Sequence, residues 1–131
     1  MDKVKQLLKK DHFAKHVGIE LLKVMPGYAK TRMTIKKKHL NGVNIVHGGA
    51  LFTLADFTFA AASNSHGSVA VAINANISFV KAAKSGILTA EAREVSLNPK
   101  LATYDIKVKD ELGNLIASFN GMVYRKTDNI Q

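Results

Sequence analysis

The stretch HGGALFTLAD, His47–Asp56, opens an apolar run that continues to Ser65. Asp56 is the only ionisable residue between Gly48 and Ser65. The segments on either side alternate polar and apolar residues, as half-buried strands do. The run therefore predicts one buried helix covered by strands, with a single carboxylate on the helix.

The glycine pair Gly48-Gly49 marks the predicted start of this helix. A helix that begins there leaves its first backbone N–H groups unpaired, with no side chain in the way of a ligand. The helix dipole adds partial positive charge at the same end. Such donors can stabilise a carbonyl oxygen that becomes negative during a reaction. The alternative is a tight turn with a purely structural role.

Asp56 lies among the apolar residues Leu54, Ala55 and Phe57. Unpaired carboxylates are rarely buried, and burial raises their pKa. Asp56 is therefore a candidate reactive group. The alternative is a hydrogen-bonded structural carboxylate, because structural groups can be perturbed in the same way.

The composition fits one globular domain, with 131 residues of which 47% are hydrophobic and 22% charged. The absence of cysteine excludes disulfides, thiolate metal sites and a cysteine nucleophile. The histidines show no metal-ligand spacing, so no metal is expected. The N-terminus lacks the apolar core of a signal peptide. A charge inside a membrane span costs roughly 2.5–3.5 kcal/mol, so Asp56 argues against a span. We expect a cytoplasmic protein that does not enter membranes.

The formal net charge of +9 favours anionic partners, such as nucleic acid or phosphorylated small molecules. The positive residues are spread along the chain, apart from one short run at Lys36–Lys38. The chain has neither zinc-finger spacing nor an RNP-like aromatic motif. Nucleic-acid binding is therefore not expected.

The remaining patterns predict an N-terminal helical segment over 1–16, with Asp11 as a helix cap, and a hairpin that turns at Pro26-Gly27. The long helix is expected to end near Asn64–His66, with Gly67 as its C-terminal cap. Four strands follow, at Val69–Val80, Gly86–Leu97, Leu101–Lys109 and Leu115–Arg125, and the tail, 127–131, is expected to fray. One long helix with antiparallel strands gives an α+β layer fold, in a single domain over 1–131.

The motif NGVNIVHGG at 41–49, followed by LAD at 54–56, resembles the signature of hotdog-fold acyl-CoA thioesterases. The nearest branch is the PaaI-like (phenylacetate-degradation) group, and the resemblance extends over roughly 17–126. It implies an antiparallel sheet wrapped around one long central helix. It also implies hydrolysis of an aryl- or medium-chain acyl-CoA to free acid and CoA. No metal or prosthetic group is implied, because coenzyme A is part of the substrate.

The resemblance also implies roles for single residues. Asp56 corresponds to the catalytic carboxylate, as general base or nucleophile, and the backbone N–H of Gly48 to the oxyanion donor. His47 and Asn41 match positions that shape the loop and line the site, and a purely structural His47 is equally compatible. In the family, the Asp and the Gly of one site come from different subunits. We therefore expect a homodimer at least, and a homotetramer.

Four further residues are predicted to contact the substrate. They are Gly49 beside the oxyanion donor, Asn74, and Lys81 and Lys84 as phosphate ligands, with solvated surface lysines as the alternative. Some relatives carry a water-orienting Ser or Thr where this chain has Ala72. The alternative functions are a non-catalytic acyl-CoA-binding or regulatory hotdog protein and a hydratase on the same fold. Asp56 favours the thioesterase over both.

Overall fold

The chain folds into three α-helices and six β-strands in a computed structural model that describes residues 1–131. The helices are α1 (Asp2–Leu8), α2 (His12–Val17) and α3 (Gly48–Ser63). The strands are β1 (Ile19–Met25), β2 (Tyr28–Thr34), β3 (Ser68–Phe79), β4 (Ile87–Leu97), β5 (Leu101–Lys109) and β6 (Leu115–Asn129). They form one antiparallel sheet in the order β1-β2-β4-β5-β6-β3. The predicted α+β architecture is thus confirmed.

The apolar run forms α3, which packs against one face of the sheet. Leu54 and Ala55 are fully buried, and Phe59 is 1% exposed. The sheet contributes alternate residues to the same core, including Ile106 and Val108 of β5. None of the helices has the length and apolarity needed to cross a bilayer.

The end of α3 differs from the prediction. The helix stops at Ser63, and Asn64 is its C-terminal cap. The Asn64 amide donates to the carbonyl of Ala60, and its side-chain oxygen accepts from the N–H of Ala70 at 3.0 Å. Gly67, with φ +88°, instead forms the turn into β3. The side-chain bonds of Asn64 end the helix before the glycine is reached.

The N-terminal region follows its sequence patterns. Asp11 caps α2, since its carboxylate accepts from the N–H of Ala14 at 3.0 Å. Strands β1 and β2 pair as the predicted hairpin. A bulge interrupts β1 between Leu21 and Lys23. Because a bulge interrupts the alternation of side chains along a strand, it changes which side chains of β1 face the N-terminal helices.

The prediction of a frayed tail over 127–131 is wrong. Strand β6 continues to Asn129, which pairs with Ser68 of β3. Ile130 is 3% exposed, and its N–H donates to the carbonyl of Gly67 at 3.0 Å. The polar composition of this segment gives no sign of its backbone pairing, because that pairing depends on β3, which is distant in the sequence.

Gly121 of β6 allows α3 to approach the sheet closely. A Cβ at Gly121 would lie 2.5 Å from Cζ of Phe59, which is closer than side-chain atoms approach one another. The Phe59 ring is held between Tyr104 and Phe119, at centroid distances of 5.8 and 5.5 Å. The ring therefore has little room to move.

Gly121→Ala should lower the free energy of unfolding by about 1–3 kcal/mol, as is usual when a packed core is overfilled. Urea denaturation measures this change. Asn120→Ala is the matched control, because Asn120 is exposed on the opposite face of β6. Its effect should stay within about 0.5 kcal/mol. Equal stability of the two variants would contradict the role of Gly121.

Candidate functional site

The start of α3 leaves one backbone donor unused. His47 is the N-cap, and its ring Nδ1 accepts from the N–H of Gly49 at 2.8 Å. The His47 carbonyl accepts from the N–H groups of Ala50 and Leu51, at 2.9 and 3.2 Å. The N–H of Gly48 has no acceptor within the chain. Gly48 thus offers a single donor at the positive end of the helix dipole.

A groove of about 300 Å³, the Gly48 groove, lies beside this donor. Its lining is mainly apolar, with two polar side chains: Asn41, Ile45, Val46, Gly48, Leu51, Phe79, Val80, Lys81, Ala82 and Ala83. A Cβ on Gly48 would lie 3.0 Å from Cζ of Phe79. The position therefore favours glycine, and the groove offers an apolar surface next to one hydrogen-bond donor.

Asn41 organises the loop that forms one wall of the Gly48 groove. Its Oδ1 accepts from the N–H groups of Val43 and Ile45, at 3.0 and 3.3 Å. Its own N–H donates to the carbonyl of Ile45 at 2.8 Å. Val46 then donates to the carbonyl of Ala83 at 2.8 Å, which ties the loop to the segment after β3. Asn41 therefore holds the wall in place and also lines the groove.

The His47 side chain caps the helix and lies outside the Gly48 groove. It lines a different groove, of about 570 Å³, together with Phe13, Phe52 and Thr53. Because Nδ1 accepts from Gly49, the neutral ring carries its proton on Nε2. This geometry favours the structural alternative for His47, which sets the conformation around Gly48.

Asp56 lies two turns further along α3 and is half-buried. Burial raises the pKa of its carboxyl group, and the negative charge of Asp11 raises it further. No group of the chain donates a hydrogen bond to it. It belongs to a helical stripe that stays partly exposed, with Gly49, Phe52, Thr53 and Ala60. Asp56 is therefore a desolvated carboxylate that a ligand can still reach.

Gly48 and Asp56 of one chain are too far apart to act on one carbonyl group. The eight residues between them correspond to a rise of about 12 Å along the helix. Reacting groups must lie within about 3–3.5 Å of one another. A site that uses both residues therefore requires two chains.

Three predicted substrate contacts are not at the Gly48 groove. The N–H of Gly49 is already bonded to His47, so it is not a free donor. Lys84 is exposed in the loop after β3 and lines no groove. Asn74 opposes Met122, one position from the Ala75–Gly121 pair, and Gly121 faces Phe59 of α3. Asn74 therefore faces away from the helix.

A bulge places Ala72 and Asn74 on opposite faces of β3. The register of β3 shifts between Ala72 and Asn74. Ala72 opposes the buried Val123 and shares the face that covers α3. In a regular strand, residues two apart share a face, but the extra residue places Asn74 on the other side. At this point of β3 the face towards the helix therefore carries the methyl group of Ala72.

The sequence patterns did not identify two residues that lie next to the candidate residues, Phe79 and Asp11. Phe79 closes the Gly48 groove, and its position at the end of an alternating strand was visible in the sequence. Asp11 raises the pKa of Asp56, but only the packing of α2 near α3 reveals this proximity. Histidines and carboxylates nowhere form a group of three that could hold a metal ion.

Comparisons with known proteins identify the family and the fold. The model of the thioesterase superfamily matches residues 43–117. A putative esterase of Archaeoglobus fulgidus is 46% identical over 95% of this chain and 82% of its own length. The acyl-coenzyme A thioesterase PaaI of Escherichia coli is 37% identical over 88% of this chain and 83% of its own. The solved structure of the E. coli PaaI protein, from the phenylacetic acid degradation operon, matches with a TM-score of 0.93 at 34% identity. That match covers 99% of this chain and 98% of the other.

Proposed function

Because this chain belongs to the thioesterase superfamily, as a PaaI-like thioester hydrolase with the hotdog fold, we propose that it hydrolyses aryl- or medium-chain acyl-CoA. The products are the free acid and coenzyme A. The observation that carries this proposal is that α3 has both an unused N–H at Gly48 and a desolvated carboxylate at Asp56. The name of the E. coli relative, an acyl-coenzyme A thioesterase, supports the substrate class.

In this mechanism the Gly48 N–H donates to the thioester carbonyl oxygen. Negative charge grows on that oxygen as the carbon is attacked, so the donor stabilises the transition state more than the bound substrate. Asp56 acts as general base on water or as the nucleophile. Its raised pKa makes the carboxylate a stronger base near neutral pH than an ordinary Asp.

The lining and the size of the Gly48 groove support an aryl or medium-chain acyl group as its occupant. Leu51, Phe79 and Val80 give it an apolar lining, and its volume is about 300 Å³. Asn41 and His47 fix the loop and the helix start on either side of the donor. Lys81 also lines the groove.

We propose that the active form is a homodimer at least, and expect a homotetramer from the family resemblance. Strand β3 is a sheet edge, and it ends in large apolar side chains that are more than half exposed, Phe79 and Val80. A long apolar edge is usually covered in a native protein. Pairing two chains by a two-fold axis would supply the second chain that the separation of Gly48 and Asp56 requires.

Release of free thiol from a panel of acyl-CoA substrates tests the proposed reaction. We expect release with aryl- and medium-chain substrates, and a large loss of release in Asp56→Asn. A panel without any thiol release by the wild-type protein would refute the proposed function and favour a binding module.

Mixing two inactive variants tests the shared site. Asp56→Asn and Gly48→Pro chains, co-refolded in equal amounts, should recover about a quarter of wild-type activity. Random pairing makes half of the dimers mixed, and the two-fold symmetry leaves one of the two sites of each mixed dimer intact. Each variant refolded alone is the control. Activity equal to the mean of the two variants would show that the site is not shared between chains.

A further inference from the structure

A groove of about 360 Å³ lies between α1, α2 and β1 and is separate from the Gly48 groove. Its apolar lining consists of Leu8, Ala14, Ile19, Leu21, Leu22 and Phe57. Four exposed lysines also line it, Lys5, Lys9, Lys15 and Lys23, and we call it the lysine groove. It combines an apolar surface with concentrated positive charge.

The four lysines have no carboxylate partner. The ion pairs of the chain use other cations, at Arg32, His66, Arg93 and Lys107. Asp11 is the only acid in the lysine groove, and its carboxylate caps α2. The lysine groove therefore carries an excess of positive charge that attracts an anionic ligand.

The bulge in β1 shapes the lysine groove. In a regular strand, consecutive side chains point to opposite faces. Here Leu21, Leu22 and Lys23 all line the same groove, and the register shifts between Leu21 and Lys23. Leu22 remains 44% exposed. Bulges often redirect side chains beside functional sites, and this one adds a leucine and a lysine to the groove.

We propose that the lysine groove binds the nucleotide end of acyl-CoA, with the adenine on the apolar surface and the phosphates on the lysines. The assignment rests on the proposed function. A phosphomonoester carries about −1.5 to −2 charges, and the diphosphate adds further negative charge, so the nucleotide end matches four lysines. A free carboxylic acid would neutralise only one of them.

The position of the lysine groove suits this ligand. Phe57, which lines the groove, directly follows Asp56 on α3. The pantetheine arm of the coenzyme separates the phosphates from the thioester, so the anchoring lysines need not touch the reacting carbon. Lys81 and Lys84, the phosphate ligands expected from the sequence, lie outside this four-lysine cluster.

The test compares two variants that each remove four positive charges. The groove variant carries Lys5→Gln, Lys9→Gln, Lys15→Gln and Lys23→Gln. The control variant carries the same change at four exposed lysines outside the grooves, Lys37, Lys100, Lys109 and Lys126. Both are assayed with an acyl-CoA and with the N-acetylcysteamine thioester of the same acyl group, which lacks the nucleotide.

The groove variant should raise KM for acyl-CoA at least about tenfold, because it loses charge-assisted contacts to phosphate. Its kcat, and its KM for the N-acetylcysteamine thioester, should match those of the wild type. Adenosine 3′,5′-bisphosphate should inhibit the wild type and the control variant but not the groove variant. Sedimentation and circular dichroism of both variants establish that they are folded.

Three results would overturn the assignment. They are an equal rise of KM in both variants, an equal effect on both substrates, and inhibition of the groove variant by adenosine 3′,5′-bisphosphate at wild-type strength. Turnover of the N-acetylcysteamine thioester by the wild type tests the proposed hydrolysis independently. If the wild type turns over this thioester and the groove variant has the wild-type KM for acyl-CoA, the nucleotide site alone is refuted. Absence of turnover with both substrates would refute the function.

Discussion

Asp56→Asn should lower kcat by about 10²–10⁴-fold, the usual loss when a general base is removed. The amide has nearly the size of the carboxylate, but it can neither accept a proton from water nor attack the thioester carbon. Both possible roles of Asp56 are therefore removed together. Acyl-CoA binding should persist, since the grooves and the Gly48 N–H are untouched.

Steady-state kinetics of Asp56→Asn, with a direct binding measurement for acyl-CoA, check this expectation. Asp128→Asn is the matched control, because Asp128 is exposed near the end of β6 and the chemical change is the same. The control should keep wild-type kcat. Retention by Asp56→Asn of more than about a tenth of the wild-type kcat would be incompatible with the catalytic role.

The raised pKa of Asp56 also sets the direction of two pH effects. The reaction needs the carboxylate, so kcat/KM should fall as pH falls through this raised pKa, above the ordinary Asp range. The folded chain holds the Asp56 proton more tightly than the unfolded chain does. The contribution of Asp56 to stability is therefore full below its unfolded pKa and is lost as pH rises through the folded pKa. At neutral pH, Asp56→Asn should consequently melt no lower than the wild type, which differential scanning calorimetry can measure.

The central helix could be predicted because its signals are local. A long apolar run with one acid, entered through two glycines, leaves few alternatives to a buried helix that carries a carboxylate. The cap at Asp11 and the hairpin at Pro26-Gly27 depend on neighbouring residues in the same way. These features need no knowledge of the rest of the chain.

The features that the sequence patterns do not show depend on distant parts of the chain. The bulge that moves Asn74 to the outer face, like the pairing that orders 127–129, exists only where β3 meets β6. Gly48 and Asp56 are eight residues apart in the motif, which corresponds to about 12 Å along one helix. This separation is compatible with the site shared between two chains that the family resemblance implies.

Gly48→Pro should lower kcat by about 10²–10³-fold, the usual effect of removing one oxyanion donor. Proline deletes the N–H, which no change of side chain alone can do. The first position of a helix tolerates proline. His47, with φ −60° and ψ 137°, already has the extended conformation that a following proline requires. Since the Gly48 N–H has no acceptor in the chain, its loss breaks no internal hydrogen bond.

Comparison of Gly48→Ala with Gly48→Pro distinguishes the loss of the N–H from the effect of an added Cβ. Both substitutions add a Cβ, which would lie 3.0 Å from Cζ of Phe79. Alanine keeps the N–H that proline removes. The ratio of kcat between the two variants therefore reports on replacement of the N–H by the proline ring, with the Cβ common to both, once sedimentation and circular dichroism show that both are folded and assembled as the wild type is. If both variants have the same kcat, the thioester oxygen is held elsewhere, and the role assigned to the start of α3 must be abandoned.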